Sequence, residues 1–156
     1  FFEDKITPVR LQTIAVPHTG KGSLPSNCQF GYLQWRDINN HRLLSGCRWG
    51  TAHLEIGEND DSVVSKPIGG HLRNLAKQCF GFEKEPTHEW TGIMGFSCDG
   101  LPLIGQLPGA SDIIACCAFS GNQGSLGFKA GQSAARLILD GEDPDLPDLF
   151  LPGRFL

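Results

Sequence analysis

The sequence contains no long apolar run. Its longest, residues 113–119, is far shorter than the roughly 20 residues that a helix needs to cross a bilayer, so we expect no membrane span. An excess of positive charge is also lacking, because 13 Lys and Arg stand against 17 Asp and Glu, a net charge of -4. This acidic balance argues against a nucleic-acid partner. The 156 residues, 40% of them hydrophobic, suit one compact folded unit or part of a larger protein.

Cysteine pairs with the CxxC spacing are absent, because the six cysteines stand at positions 28, 47, 79, 98, 116 and 117. A zinc site or a dense secreted disulfide framework would need such ligands or bridges. We therefore expect reduced, mostly buried thiols, a cytoplasmic protein and no metal site. The five histidines also have no spacing that indicates a metal site or a catalytic triad.

The first half of the chain contains strand-like and helix-like patterns. Residues 5–16 include β-branched residues and Pro8, which favours a strand at the edge of a sheet. Two apolar runs on either side of residues 37–40 predict a β-hairpin. Apolar residues then recur every three or four positions through residues 68–79, which predicts a helix that ends near Gly81.

A strand–loop–helix pattern follows near the end of the chain. Residues 89–97 alternate and predict a strand, and residues 113–119 are apolar throughout, as in a strand covered on both faces of a parallel or mixed sheet. The helix after the loop carries an apolar stripe and closes at Gly141. Its stripe consists of Leu126, Ala130, Ala134, Leu137 and Ile138.

The loop before this helix has glycines at 121, 124 and 127, which is a GxxGxxG spacing rather than the GxGxxG of dinucleotide-binding folds. Free amides at a helix start stabilise an anion or an electron-rich group. The competing interpretation is a tight turn in which the glycines adopt positive φ and nothing binds. The spacing alone leaves both interpretations open.

Several motifs in a fixed order carry a resemblance to a known family. They are HEWTGIMGFSCDGLPLIG, DIIACCAFSGNQGSLGFKAGQSAARLILDG and the closing Arg154 and Phe155, with looser agreement at ITPVRLQTI and HRLLSGCR. Together they resemble the C-terminal portion of the FAD-dependent oxidoreductases of the D-amino-acid oxidase superfamily, which includes sarcosine and glycine oxidases. The family's GxGxxG motif, which holds the ADP part of FAD, is absent from this sequence. We therefore expect the C-terminal part of such an enzyme, or a protein that lacks the nucleotide half.

The resemblance implies an α+β fold in two parts. Residues 1–90 would form part of a substrate-binding domain, an antiparallel or mixed sheet with flanking helices. Residues 91–156 would contribute a C-terminal strand, loop and helix to an FAD-binding domain.

In the family, the glycine-rich loop lies against the flavin, with the following helix N-terminus at the pyrimidine edge of the ring. The resemblance therefore implies FAD contacts from Phe119, Ser120, Gly121, Asn122, Gln123, Gly124, Ser125 and Leu126. Asp99 and Gly100 would run beside the cofactor, although Asp99 also suits a turn-capping carboxylate. Some relatives attach flavin through a cysteine that aligns nearer Gly95 than Cys98. Noncovalent FAD is therefore expected, with Cys98 as the alternative.

The resemblance also implies oxidation of a C–N bond in a small amine or amino acid, with hydride passing to flavin and water hydrolysing the imine. An amino-acid carboxylate would need a cation, and Arg48 and Lys129 are the candidates, although both also suit solvated surface positions. Sarcosine-type oxidases carry an oxygen-activating lysine near the place of Leu44, and its absence favours a dehydrogenase. The alternative function is a non-catalytic remnant that acts as a binding module or homodimer without FAD.

Overall fold

A computed structural model describes residues 1–20, 22–28, 31–46 and 53–156. The chain divides into two compact units. We call Val9–Ile93 the sheet unit, and Phe1–Pro8 together with Met94–Leu156 the loop–helix unit. The coarse prediction of an α+β fold with antiparallel sheets is confirmed. The division into a substrate domain over 1–90 and an FAD-domain segment over 91–156 stays a prediction.

Five strands form the larger sheet, in the order β2-β3-β4-β1-β5. Their bounds are Ile6–Pro17 for β1, Ser26–Cys28 for β2, Leu33–Ile38 for β3, His41–Gly46 for β4 and His88–Ser97 for β5. β3 and β4 form the predicted antiparallel hairpin, in which Ile38 pairs with His41. Asn39 in the turn has a φ of 52°, a left-handed conformation that asparagine tolerates.

Strand β1 lies between β4 and β5, so the prediction of an edge strand is wrong. Its pairing with β4 runs from Thr13 opposite Ser45 to Pro17 opposite His41. Pro8 precedes this stretch, and its missing N–H therefore removes no hydrogen bond from the β1–β4 ladder. The proline marks the beginning of the strand and not the edge of the sheet.

Helix α1 (Lys66–Phe80) packs on one face of the sheet in the sheet unit. Gly81 ends it, as predicted, with a φ of 67° and an amide that donates to the carbonyl of Lys77. The apolar period is also confirmed, because α1 residues join strand residues in one buried cluster. That cluster contains Ile14, Val16, Leu33, Leu44, Ile68, Leu72 and Ala76.

Strands β6 (Leu103–Leu107) and β7 (Ala110–Cys117) form a separate antiparallel sheet, in which Gly109 turns the chain with a φ of 82°. Strand β6 was not predicted from the sequence. Residues 113–119 were also expected to lie in a parallel or mixed sheet covered on both faces. Their pairing with β6 is antiparallel, and coverage of both faces stays a prediction. In the part of the chain that the structure describes, β7 pairs with β6 alone, and Ile113 stays 50% exposed.

Helix α2 (Gln123–Leu139) follows the glycine-rich loop, and two short 3-10 turns, Asp148–Phe150 and Pro152–Phe155, follow α2. The predicted stripe is correct at Ala130, which is buried, but wrong at Ile138, which is 69% exposed. Ser133 is buried although it was not predicted to be. It lies three residues after Ala130, on the same side of a helix with 3.6 residues per turn.

The described thiols are free, but none is fully buried. Cys79, Cys98 and Cys116 are exposed, while Cys28 and Cys117 are half-buried, so the expectation of mostly buried thiols is wrong for these five. Cys116 is exposed because side chains alternate along a strand, and its neighbour Ala115 takes the buried face of β7. Cys47 lies outside the described residues. No helix within the described ranges is both long and apolar enough to cross a membrane.

Candidate flavin-binding site

The glycine-rich loop joins β7 to α2 and contains three residues with left-handed backbone. The φ values are 56° at Ala118, 51° at Ser120 and 85° at Gly121. For alanine and serine this conformation costs about 1–2 kcal/mol per residue, so neighbouring contacts must hold the loop in place. Residues held in such conformations cluster at ligand-binding and catalytic sites.

The end of β5 supplies the contacts that hold this loop. Phe96 forms an isolated β-bridge with Phe119, and the N–H of Ser120 donates to the carbonyl of Gly95 at 3.1 Å. The N–H of Ser97 donates to the Ser120 hydroxyl at 3.1 Å, and the two hydroxyl oxygens lie 3.2 Å apart. The strained loop is therefore fixed through both its backbone and its hydroxyl group.

Three residues that hold the loop were not found from the sequence: Gly95, Phe96 and Ser97. A Cβ on Gly95 would lie 3.4 Å from Cα of Ala118, so a glycine there allows β5 and the loop to approach closely. The available signal was a glycine inside a predicted strand, which indicates close backbone approach.

The first turn of α2 is open. The carbonyl of Asn122 accepts the N–H groups of Ser125 at 3.2 Å and Leu126 at 3.0 Å. The amides of Gln123 and Gly124 precede these bonds and belong to the donors that a helix N-terminus leaves without helical partners. Residues from Asn122 to Ser125 are exposed, and a Cβ on Gly124 would meet no atom within 4 Å. The turn can therefore accommodate an electron-rich group close to its backbone.

Asp99 and Gly100 form the turn between β5 and β6. Oδ1 of Asp99 accepts the N–H of Leu101 at 3.0 Å, which is a turn-capping contact. Arg154 donates to the same carboxylate through Nε to Oδ2 at 2.7 Å and Nη2 to Oδ1 at 3.0 Å. These bonds from Arg154 hold the pKa of Asp99 well below its usual range. Gly100 has a φ of 77°, which a glycine adopts without strain.

Arg48 and Lys129 are the two predicted partners of a substrate carboxylate. Arg48 lies outside the described residues. Nζ of Lys129 lies 3.6 Å from Oδ2 of Asp145, and 53% of the lysine side chain is exposed. Arg136 donates to Asp143 and to Asp145 at 2.7 Å each. Lys129 is thus part of a set of ion pairs between α2 and the following segment, and its role toward a substrate stays a prediction.

Comparison with protein families identifies the class of this chain. A sequence model of the family described as FAD dependent oxidoreductase matches residues 2–140. Because this match covers most of the chain, the chain belongs to that family. The predicted resemblance to the D-amino-acid oxidase superfamily is confirmed. No curated protein matches the sequence significantly.

Solved structures show the same fold over almost the whole chain. L-Proline dehydrogenase from P. horikoshii is 16% identical, with a TM-score of 0.68 over 98% of this chain and 41% of that one. Glycine oxidase from Geobacillus kaustophilus is 19% identical, with a TM-score of 0.73 over 97% and 40%. Iminodiacetate oxidase from Chelativorans sp. BNC1 is 15% identical, with a TM-score of 0.70 over 96% and 40%. The chain therefore spans about 40% of the length of these structures.

Proposed function

We propose that the chain provides the flavin-contacting loop and helix of an FAD-dependent enzyme that oxidises the C–N bond of an amine or amino acid. The observation that carries this proposal is the open first turn of α2, which directly follows a left-handed loop held by β5. Family membership supplies the cofactor class. The geometry of the loop supports the choice of contact residues, from Phe119 to Leu126.

The electrostatics of the first turn suit a flavin ring. The amides of Gln123 and Gly124 and the positive end of the helix dipole favour negative charge at this point. Bound FAD would supply the two-electron acceptor of the reaction. This chain would stabilise the negative charge that reduction adds at the pyrimidine edge of the flavin ring. Gly121 and Gly124 permit close approach, with Asn122 and Ser125 as polar neighbours.

The turn that contains Asp99 supports the same site indirectly. Because its carboxylate is paired with Arg154 and with the amide of Leu101, we assign Asp99 to holding the turn, and Gly100 to bordering the cofactor. We further propose noncovalent FAD. Cys98 is exposed and remains the alternative attachment point.

The proposed substrate is a small amine or amino acid. The similar structures named above are enzymes of proline, glycine and iminodiacetate, which all carry a carboxylate close to an amine nitrogen. We propose Arg48 or Lys129 as the partner of such a carboxylate. Because the sequence has no lysine near Leu44, we propose an electron acceptor other than oxygen. A cytoplasmic location and a homodimer or a separate nucleotide-binding half belong to the same proposal.

Flavin binding by the full chain tests the proposal. The measurement is quenching of flavin fluorescence during titration with FAD and with riboflavin, which lacks the ADP part. Gly124→Asp places a carboxylate in the first turn of α2, where it competes for the free amides and repels an electron-rich ring edge. We expect flavin affinity to fall at least tenfold, about 1.4 kcal/mol.

Gly131→Asp is the matched control, because Gly131 is an exposed residue of the same helix and a Cβ there also meets no atom within 4 Å. It should leave flavin affinity unchanged. Equal affinity of Gly124→Asp and the unmodified chain would contradict the assigned loop. An unmodified chain that binds neither flavin would instead support the non-catalytic binding module.

A further inference from the structure

A second chemically distinctive place lies in the sheet unit, at one end of the larger sheet. His41 begins β4 and His88 begins β5, and their ring centroids are 6.2 Å apart with an interplanar angle of 73°. Leu44 packs against α1 and Glu89 bonds to Arg73 of α1. Because side chains alternate along a strand, His41 and His88 lie on the sheet face opposite α1.

The ring of His88 is oriented by a hydrogen-bond chain. The hydroxyl of Thr87 donates to the carbonyl of Ala15 at 3.4 Å, and Nδ1 of His88 lies 3.0 Å from the same hydroxyl oxygen. We assign to His88 the tautomer in which Nδ1 carries the proton and donates to the Thr87 oxygen, while the hydroxyl proton is directed to Ala15. Nε2 of His88 is then left with a lone pair. A histidine whose other nitrogen donates to an oxygen is the usual arrangement of a metal ligand.

We propose that His41 and His88 bind one divalent transition-metal ion between them, of the kind that prefers imidazole and accepts two nearly opposite ligands, such as Ni²⁺ or Cu²⁺. A metal–nitrogen bond of about 2.1 Å, with about 1.1 Å from nitrogen to ring centroid, allows two imidazoles to share an ion up to a centroid separation of about 6.4 Å. The observed 6.2 Å lies within that reach.

The surroundings of the pair are compatible with a cation. The nearest basic neighbour in sequence, Arg42, is directed to the other face. Its guanidinium donates to both oxygens of Asp37, at 2.7 and 2.9 Å, and lies over the rings of Phe80 and Phe82. Among the described residues, no group of three or more His, Cys, Asp or Glu could hold a metal. Water or an external ligand therefore completes the coordination, which makes the ion exchangeable.

Titration of the full chain with Ni²⁺, followed by NMR of the histidine ring protons, tests this proposal. The paramagnetic ion broadens the signals of the histidines that bind it. Binding of Ni²⁺ at exposed thiols elsewhere is therefore distinguished from binding at the histidine pair. We expect the signals of His41 and His88 to broaden together, ahead of that of His53, which is exposed at a distant sequence position. His41→Ala and His88→Ala should each raise the Kd at least tenfold.

Thr87→Val keeps the shape of the side chain and removes the acceptor for Nδ1 of His88. It should raise the Kd roughly tenfold, as loss of the group that orients a ligand typically does. His53→Ala should leave the Kd unchanged. The proposal is overturned if His41 and His88 broaden no earlier than His53, or if their alanine variants bind Ni²⁺ as the unmodified chain does. None of these readouts depends on flavin binding.

Discussion

The sheet unit and the loop–helix unit are stabilised in different ways. Among the described residues of the sheet unit, five apolar side chains are fully buried: Ile14, Val16, Leu44, Ile68 and Leu72. In the described part of the loop–helix unit, Pro102, Leu103 and Pro152 are fully buried and Ile104 nearly so, while the other buried apolar side chains are those of alanines. Burial of apolar area is thus concentrated in the sheet unit, where each large side chain contributes about 1.5–3 kcal/mol.

The polar contacts of the two units also differ. In the sheet unit, the fully buried Gln12 donates to Glu89 at 2.6 Å and accepts the amide of Ser65 at 2.8 Å, which joins β1 to both β5 and the start of α1. The sheet unit also contains a buried ion pair between Arg10 and Glu55, whereas the ion pair of Arg154 with Asp99 in the loop–helix unit is partly open to solvent. We therefore expect lost packing to weaken the sheet unit strongly, and loss of the partly exposed charge of Asp99 to weaken the loop–helix unit more modestly.

The largest effect is expected from Leu72→Ala. Leu72 is fully buried in the core of the sheet unit, and its truncation leaves a cavity that should cost about 2–5 kcal/mol. Urea unfolding measures the loss, and amide exchange of β4 should rise more than that of β6. A loss below about 1 kcal/mol would show that the sheet unit does not depend on this packing.

Gly69→Ala should cost about 1–3 kcal/mol, because a Cβ there would displace Oε1 of Glu89 from its hydrogen bonds to Gln12 and Arg73. The neighbouring Gly70→Ala is the matched control, since its Cβ would meet no atom within 4 Å. That change should stabilise the helix by about 0.5–1 kcal/mol. Thermal unfolding of both variants checks the prediction, and equal midpoints would refute it.

Asp99→Asn should weaken the loop–helix unit by about 1 kcal/mol, a modest figure because about a third of this side chain is exposed and solvent screens the pair. The folded-state pKa of Asp99 is depressed by Arg154. Its contribution is therefore complete above the unfolded pKa of about 3.9 and is lost as the pH falls below that value. Amide exchange of β6 at decreasing pH should show this loss in the unmodified chain and a smaller one in the variant. If the unmodified chain and the Asp99→Asn variant show the same acid response, Asp99 does not contribute to the stability of this unit.

The smallest effect is expected from Leu139→Ala. Leu139 is 80% exposed on α2, so its truncation should change the unfolding free energy by less than about 0.5 kcal/mol. Leu72→Ala makes the same truncation at a buried position of α1, so the two variants compare a buried leucine with an exposed one. If instead the variant is destabilised by more than about 1 kcal/mol, this face of α2 is covered in solution, and sedimentation would then detect self-association.

The sequence predicted the sheet unit better than the loop–helix unit. The period of α1, its end at Gly81 and the hairpin turn at Asn39 follow from local rules of spacing and backbone conformation. Strand β6 was missed because it is short and contains Gly105, which normally interrupts a strand pattern. A Cβ on Gly105 would lie 3.0 Å from Leu151 and 3.1 Å from Pro152, so this glycine admits the tail of the chain.

The candidate site was only partly predictable from the sequence, because local patterns do not reveal contacts between residues that are distant in the chain. Its loop residues were chosen through the family resemblance, and the choice stays a prediction. The contacts that hold the loop join residues distant in sequence, 23 positions apart for Ser97 and Ser120 and 55 apart for Asp99 and Arg154. No local pattern marks such pairs, because each partner alone is an ordinary surface-type residue.

The contact of Arg154 with Asp99 has a consequence for biosynthesis. The guanidinium also donates to the carbonyls of Leu101 and Pro102, so one late side chain completes the turn that begins β6. During translation, the ribosome makes this turn long before it makes its partner. The sheet unit can therefore fold while synthesis continues, whereas the loop–helix unit cannot reach its final form until Arg154 has emerged from the exit tunnel.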